Sequence, residues 1–226
     1  MNMNNINVNN SLFSLDNFFY NNELITKYSI NGYPLLTILL NIFLLIIPFL
    51  LCLLLVKYWE ENKFEKFYQK ILALIMGIVW LVFIPNTAYV ITDIRHLLNY
   101  CDSYYFFHVC IANAWMIMVF FVYACLGWVS FVVLLNQMKK FIIKLGGKKI
   151  SDIFIAVIIP VISLGVLLGL INRWNSWEFF IYPHKILANL PVYFTDFYYF
   201  RNFVVFTVSL YILYCIGNWF FKNSKL

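Results

Sequence analysis

Apolar residues fill five stretches of this chain without a single charge: Leu35 to Val56, Ile71 to Thr92, Val109 to Gln137, Ile153 to Asn172 and Asn202 to Phe221. Each reaches the roughly 20 residues that a helix needs to cross the hydrocarbon core of a bilayer. That core has no water to take up peptide N–H and C=O groups, so such runs fold as helices that satisfy their own backbone. The pattern predicts an all-α protein, a polytopic transmembrane helical bundle of five spans. Residues 35–221 form its single domain and 222–226 a short tail. Before them, residues 1–34 make an asparagine-rich tail. It is expected to be partly disordered, or to lie at the interface through Leu12, Phe13, Leu15, Phe18 and Phe19. The tail has no basic region ahead of an apolar one, so no cleaved signal peptide is expected.

The second span departs from the pattern. Ile71 to Ile84 supplies about 21 Å of helix against a core of about 30 Å, so the span must continue into PNTAYVITDIRHL, Pro85 to Leu97. At about 100° per residue, Asn86, Tyr89, Thr92, Asp93, His96 and Asn99 share one side of a helix. Val90, Ile91, Ile94, Leu97 and Leu98 share the other. An indiscriminately solvated side would carry Lys and Glu. An amide, a phenol, a hydroxyl, a carboxylate and an imidazole make the inventory of a hydrogen-bonding site. Pro85 cannot donate to the helical ladder and Asn86 can cap a renewed helix, which predicts a kink there.

Polar groups at that depth require protein or a wet cavity opposite them. The expected partner is NRWNSWEFF, Asn172 to Phe180, which follows the fourth span on the same side of the membrane. Trp174 and Trp177 carry rings that settle at headgroup level. Arg173 can pair bidentately with Asp93 or with an anionic lipid or substrate group. The aromatic run from Phe179 to Arg201, with His184, Lys185 and Asp196, reads as a membrane-hugging and partly re-entrant loop.

Composition fixes the solvent: 63% of residues are hydrophobic, 12% charged, and mean hydropathy is +0.81, against about 25% charged in soluble domains. The net charge of +6 would suit nucleic acid, but its distribution speaks for topology. Lys57, Lys63, Lys66 and Lys70 follow the first span. Lys139, Lys140, Lys144, Lys148 and Lys149 follow the third, and Lys222 and Lys225 the fifth. Lysine collects on the cytoplasmic side, so the amino terminus is expected outside, the carboxyl terminus inside, and the polar stripe on the extracytoplasmic side of a multi-pass cell-membrane protein. No nucleic-acid partner is implied. The five cysteines include no CxxC pair and imply packing rather than metal. Cys101 and Cys110 both fall toward the outer side, where an oxidising compartment would permit a disulfide.

FIPNTAYVITDIRHL, Phe83 to Leu97, and NRWNSWEFF, Asn172 to Phe180, together resemble a family of bacterial and archaeal integral membrane proteins, the domain of unknown function 1361. With the order of spans, the resemblance covers Leu35 to Phe221. The family pattern has proline where Ala88 stands and aspartate where Glu178 stands. Membership implies a multi-span membrane protein and supplies no activity.

Two readings of the polar residues follow. In one, Asp93 and His96 perform acid–base work or hold a metal, with Glu178, His184 or Asp196 as a third ligand. Arg173 then holds a phosphate or carboxylate, while Asn86, Tyr89, Thr92, Trp174, Asn175, Trp177 and Glu178 bind and orient an amphiphilic or lipid-linked anionic substrate. In the other, the cluster is a structural clasp within an envelope complex or transporter subunit, because a carboxylate near lipid is costly unless paired. No GxSxG, HExxH, P-loop or Rossmann fingerprint is present, so serine-hydrolase, zincin and nucleotide-driven mechanisms lose their usual support.

Overall fold

The computed structural model describes residues 29–30, 33–63, 65–97 and 114–223. The expectations for the asparagine-rich tail and for a Cys101–Cys110 disulfide lie outside them. Two compact units are present, Met1–Ile42 and Phe43–Leu226. The first contains a two-residue antiparallel hairpin, β1 (Ser29–Ile30) and β2 (Tyr33–Pro34), with Ile30 opposite Tyr33. It also contains the start of α1 (Leu35–Asn62).

The second unit is helical among its described residues. After α1 come α2 (Phe67–Phe83), α3 (Pro85–Thr92), a 3-10 turn at Asp93–Leu97, and the long α4 (Ala114–Leu170). Three short helices follow, α5 (Glu178–Ile181), α6 (Pro183–Asn189) and α7 (Val192–Thr195), and then α8 (Phe197–Asn223). Among the described residues, four helices are long and apolar enough to cross a membrane: Leu35–Asn62, Phe67–Arg95, Ala114–Leu170 and Phe197–Lys222.

α4 is two arms, 114–146 and 148–170. Gly147 between them has φ 82° and ψ 177°, a conformation open essentially to glycine alone. The arms fold back on each other, with Lys139 Nζ 2.9 Å from Asp152 Oδ1 across the turn. The lysine-rich segment expected as a loop is therefore helical, because lysine is a good helix former and only Gly147 breaks the run. α1 ends at Lys63, where φ is 49°, and the Lys63 ammonium sits 4.0 Å over the Trp59 ring. α2 opens with Gln69 Oε1 accepting from Lys66 N at 2.9 Å, while its Nε2 donates to Asn62 Oδ1 at 3.0 Å.

The core lies where α2 meets both arms of α4: Trp80, Ile84, Phe131, Leu135, Ile159 and Ile162 are all at most 2% exposed. Cys52 and Leu55 of α1 and Leu210 and Tyr214 of α8 complete it. α8 approaches the first arm closely, since a Cβ on Gly217 would lie 2.6 Å from Val132 Cγ2. Trp128 Nε1 donates to Leu213 O at 2.9 Å, and the Tyr211 hydroxyl donates to Ala156 O on the second arm. Outward positions are apolar as well, with Phe43, Leu54, Met118 and Ile153 all more than half exposed. A fold that is apolar on both sides of its helices requires lipid around it.

The segment after α4, expected as a membrane-hugging and partly re-entrant loop, is built from short helices. Pro183 is the first residue of α6 and Pro191 directly precedes α7, positions where a missing N–H is harmless. The aromatic run thus becomes three short helices.

Candidate functional site

Ile84 separates α2 from α3 yet keeps helical dihedrals, φ −59° and ψ −33°. The two helices therefore run on as one apolar element, Phe67–Arg95. Asn86 is not the N-cap that the sequence suggested. Proline occupies the first position of α3, and a cap must precede it with non-helical dihedrals. The Asn86 amide instead donates from Nδ2 to Phe83 O at 2.9 Å, binding a backbone carbonyl beside the proline break. The same Nδ2 donates to Ser176 Oγ at 2.9 Å, which joins the two sequence motifs.

α3 is held between the two arms of α4, and glycines permit it. A Cβ on Gly127 would lie 2.7 Å from Thr87 O and 3.0 Å from Val90 Cβ; one on Gly165 would lie 2.6 Å from Pro85 Cγ. On Gly169 it would lie 3.3 Å from the Tyr89 ring. Small residues let helix backbones approach in lipid, where close packing drives association. Burial follows on both sides of the stripe: Thr87, Val90 and Asp93 are all 0% exposed. Val90, on the apolar side, is thus in protein and not in lipid.

Tyr89 is the electrostatic centre of the stripe. Arg95 Nη2 donates to its hydroxyl at 3.3 Å, with the guanidinium 5.9 Å from the ring centroid. Thr92 turns its hydroxyl to its own helix, donating to Tyr89 O at 2.7 Å. The backbone carries His96 through the 3-10 turn beyond Asp93; its side chain lies outside the described residues.

The facing motif is shaped by local bonds. Arg173 has φ 61°, and Trp174 N returns to Leu168 O at 3.2 Å, closing the end of α4. This leaves the Arg173 side chain exposed. Glu178 is 3% exposed, and its Oε2 accepts from Asn175 N at 2.7 Å and Asn175 Nδ2 at 3.2 Å. The pair fastens the turn that leads into α5. Asn172 Oδ1 accepts from the buried Tyr193 hydroxyl at 2.7 Å. Burial, and secondarily Tyr199, pushes that phenol above its usual range, so it stays a proton donor. Trp174 and Trp177 are half-buried.

His184 and Asp196 serve elsewhere. His184 is exposed on α6. Asp196 caps α8, its Oδ1 accepting from Tyr198 N at 2.8 Å and Tyr199 N at 3.2 Å. Among the described residues no three of His, Cys, Asp or Glu come together as a metal site would require. The sequence reading passed over Ser176, the hydroxyl that receives Asn86, and the glycines of the second α4 arm. Gly165 and Gly169 stand four apart, a spacing that signals close helix packing.

Beside this junction is a cavity of about 330 Å³. Its walls are Ile78, Leu81 and Val82 of α2, Val161, Leu164 and Leu168 of α4 and Ile186 and Leu187 of α6; Asn175 and Ser176 add polar groups to an otherwise apolar lining. The arrangement suits a molecule with an apolar tail and a polar head. Neither a curated protein nor a solved structure matches the chain. The model of one family, described as protein of unknown function (DUF1361), matches residues 40–216, and the chain belongs to that family.

Proposed function

We propose that this integral membrane protein binds, or processes, an amphiphilic or lipid-linked anionic substrate at the junction of α3 with the Asn172–Phe180 motif. The observation that carries the reading is the apolar cavity between α2, α4 and α6 whose lining includes Trp174, Asn175 and Ser176. Such a groove takes a chain in its apolar part and leaves the head beside Asn86, Tyr89 and Arg173. In the proposed site Arg173 holds a phosphate or carboxylate. Asn86, Tyr89, Thr92, Trp174, Asn175 and Trp177 bind and orient it, and Glu178 fixes the loop that carries them. Asp93 and His96 supply acid–base chemistry. Counting the arms of α4 separately supports a reading of five spans, and lysine density supports an amino terminus and a site on the outer side of the cell membrane.

The rival reading, a structural clasp in an envelope complex or transporter subunit, is favoured by one observation: the Asn86–Ser176 and Asn175–Glu178 bonds are satisfied within the protein. Filling the groove separates the two. Val161→Trp, at a partly exposed wall position, should leave the melting temperature in detergent nearly unchanged. It should abolish the anionic amphiphile seen by thin-layer chromatography and native mass spectrometry of the purified protein. Equal amphiphile in both forms, or none in the wild type, would overturn the binding reading.

A further inference from the structure

A second cavity, polar in its lining, lies at the opposite end of the helices from the Tyr89 stripe, between the first arm of α4 and the end of α8. Its volume is about 510 Å³, and Asn136, Gln137, Lys139, Lys140, Asn218 and Lys222 supply its polar lining. We propose that it binds the phosphate of an anionic phospholipid head group.

Three observations converge on that ligand. The first is depth. The uncharged stretch of the α4 arm ends at Gln137 and that of α8 at Phe221, and both residues line the cavity. The cavity therefore sits where each helix leaves the hydrocarbon, at the level of lipid phosphates. The second is charge. Lys139 is paired with Asp152 at 2.9 Å, whereas Lys140 and Lys222 make no ion pair among the described residues. Two cations from different helices thus face one cavity with no protein anion assigned to them. Basic pockets between membrane helices recognise anionic head groups in this way, each lysine contributing electrostatic attraction near the surface. The third is construction. The Tyr214 hydroxyl donates to Asn136 Oδ1 at 3.0 Å, which joins α8 to α4 beneath the cavity and leaves Asn136 Nδ2 as a donor. Val133 and Phe221 add apolar wall, against which the first carbons of an acyl chain can lie. Cations, amide donors and an apolar flank at one depth match a glycerophospholipid better than they match a free anion.

Native mass spectrometry of the detergent-solubilised full chain, titrated with phosphatidylglycerol or phosphatidylcholine, tests this. The wild type should prefer phosphatidylglycerol by on the order of ten-fold or more. The double variant Lys140→Gln/Lys222→Gln should lose that preference while keeping its melting temperature, because both side chains stand at the surface. Arg173→Gln, at the other end of the molecule, should retain it, which separates this cavity from the site proposed above. Glycerol 1-phosphate provides the soluble arm. Failure to displace phosphatidylglycerol supports the lipid source, and lysine-dependent displacement supports the same phosphate chemistry from a free ester. Equal preference in wild type and double variant, or no preference in the wild type, would overturn the proposal.

Discussion

The Asn86 side-chain amide donates to Ser176 Oγ at 2.9 Å across 90 positions of sequence, and this bond fastens the proline break of the second span to the loop after α4. Ser176→Ala should lower stability by about 1 kcal/mol, the usual net value of such a bond, and Asn86→Ala by about 2 kcal/mol, because it also removes the bond to Phe83 O. The double variant should fall short of the sum by about 1 kcal/mol, since both changes remove the Asn86–Ser176 bond. Thermal unfolding of the four proteins in one detergent measures the cycle. Strict additivity would mean that the bond contributes nothing.

The glycines around α3 should rank by the atom each Cβ would meet. Gly127→Ala meets the Thr87 carbonyl oxygen at 2.7 Å and Gly165→Ala meets Pro85 Cγ at 2.6 Å, and neither a backbone carbonyl nor a proline ring can rotate away. Each is expected to destabilise by about 1–3 kcal/mol, the range for overpacking. Gly169→Ala, 3.3 Å from the Tyr89 ring, should be milder. Gly77→Ala, with nothing within 4 Å, should be neutral or slightly stabilising through helix propensity. Melting temperatures of the four variants check the order.

Asp93 and Arg173 should separate stability from function. Asp93 is 0% exposed, so Asp93→Ala removes a buried polar group from its surroundings and is expected to lower stability by about 1–3 kcal/mol. Arg173 is exposed, and Arg173→Gln should reduce retention of anionic amphiphile by the purified protein. His96→Gln should keep the melting temperature and abolish the cellular phenotype of the intact gene. A fully active His96→Gln protein would remove His96 from the proposed chemistry.

Topology can be read with single cysteines in a background without native ones. A cysteine at Lys144, beside the turn of α4, should be shielded from an impermeant thiol reagent in intact cells. One at Lys185, on α6, should react. The reverse labelling would place the stripe inside and overturn its assignment to the outer surface.

Sequence by itself determined the helices, because a bilayer leaves a 20-residue uncharged run no other way to satisfy its backbone. The family followed from two motifs, whereas the helices run past the uncharged stretches that located them, through Lys57 in α1 and Lys139 in α4. The convergence of Pro85–Leu97 with Asn172–Phe180 was legible too, since a polar stripe at membrane depth requires something polar to face it. Tertiary structure alone decided which groups meet there. Ser176 carries a common side chain whose partner, Asn86, comes from another helix, and no local pattern encodes that distance. Asn86 was expected to cap a helix, but proline at the first position of α3 turned its amide toward a carbonyl instead. Glu178, Asp196 and Thr92 look in sequence like candidates for chemistry, yet they bond to nearby backbone groups and hold turns. Short polar side chains serve either purpose equally well in sequence, and which atoms they meet is decided by long-range packing such as that of Gly127, Gly165 and Gly169 around α3.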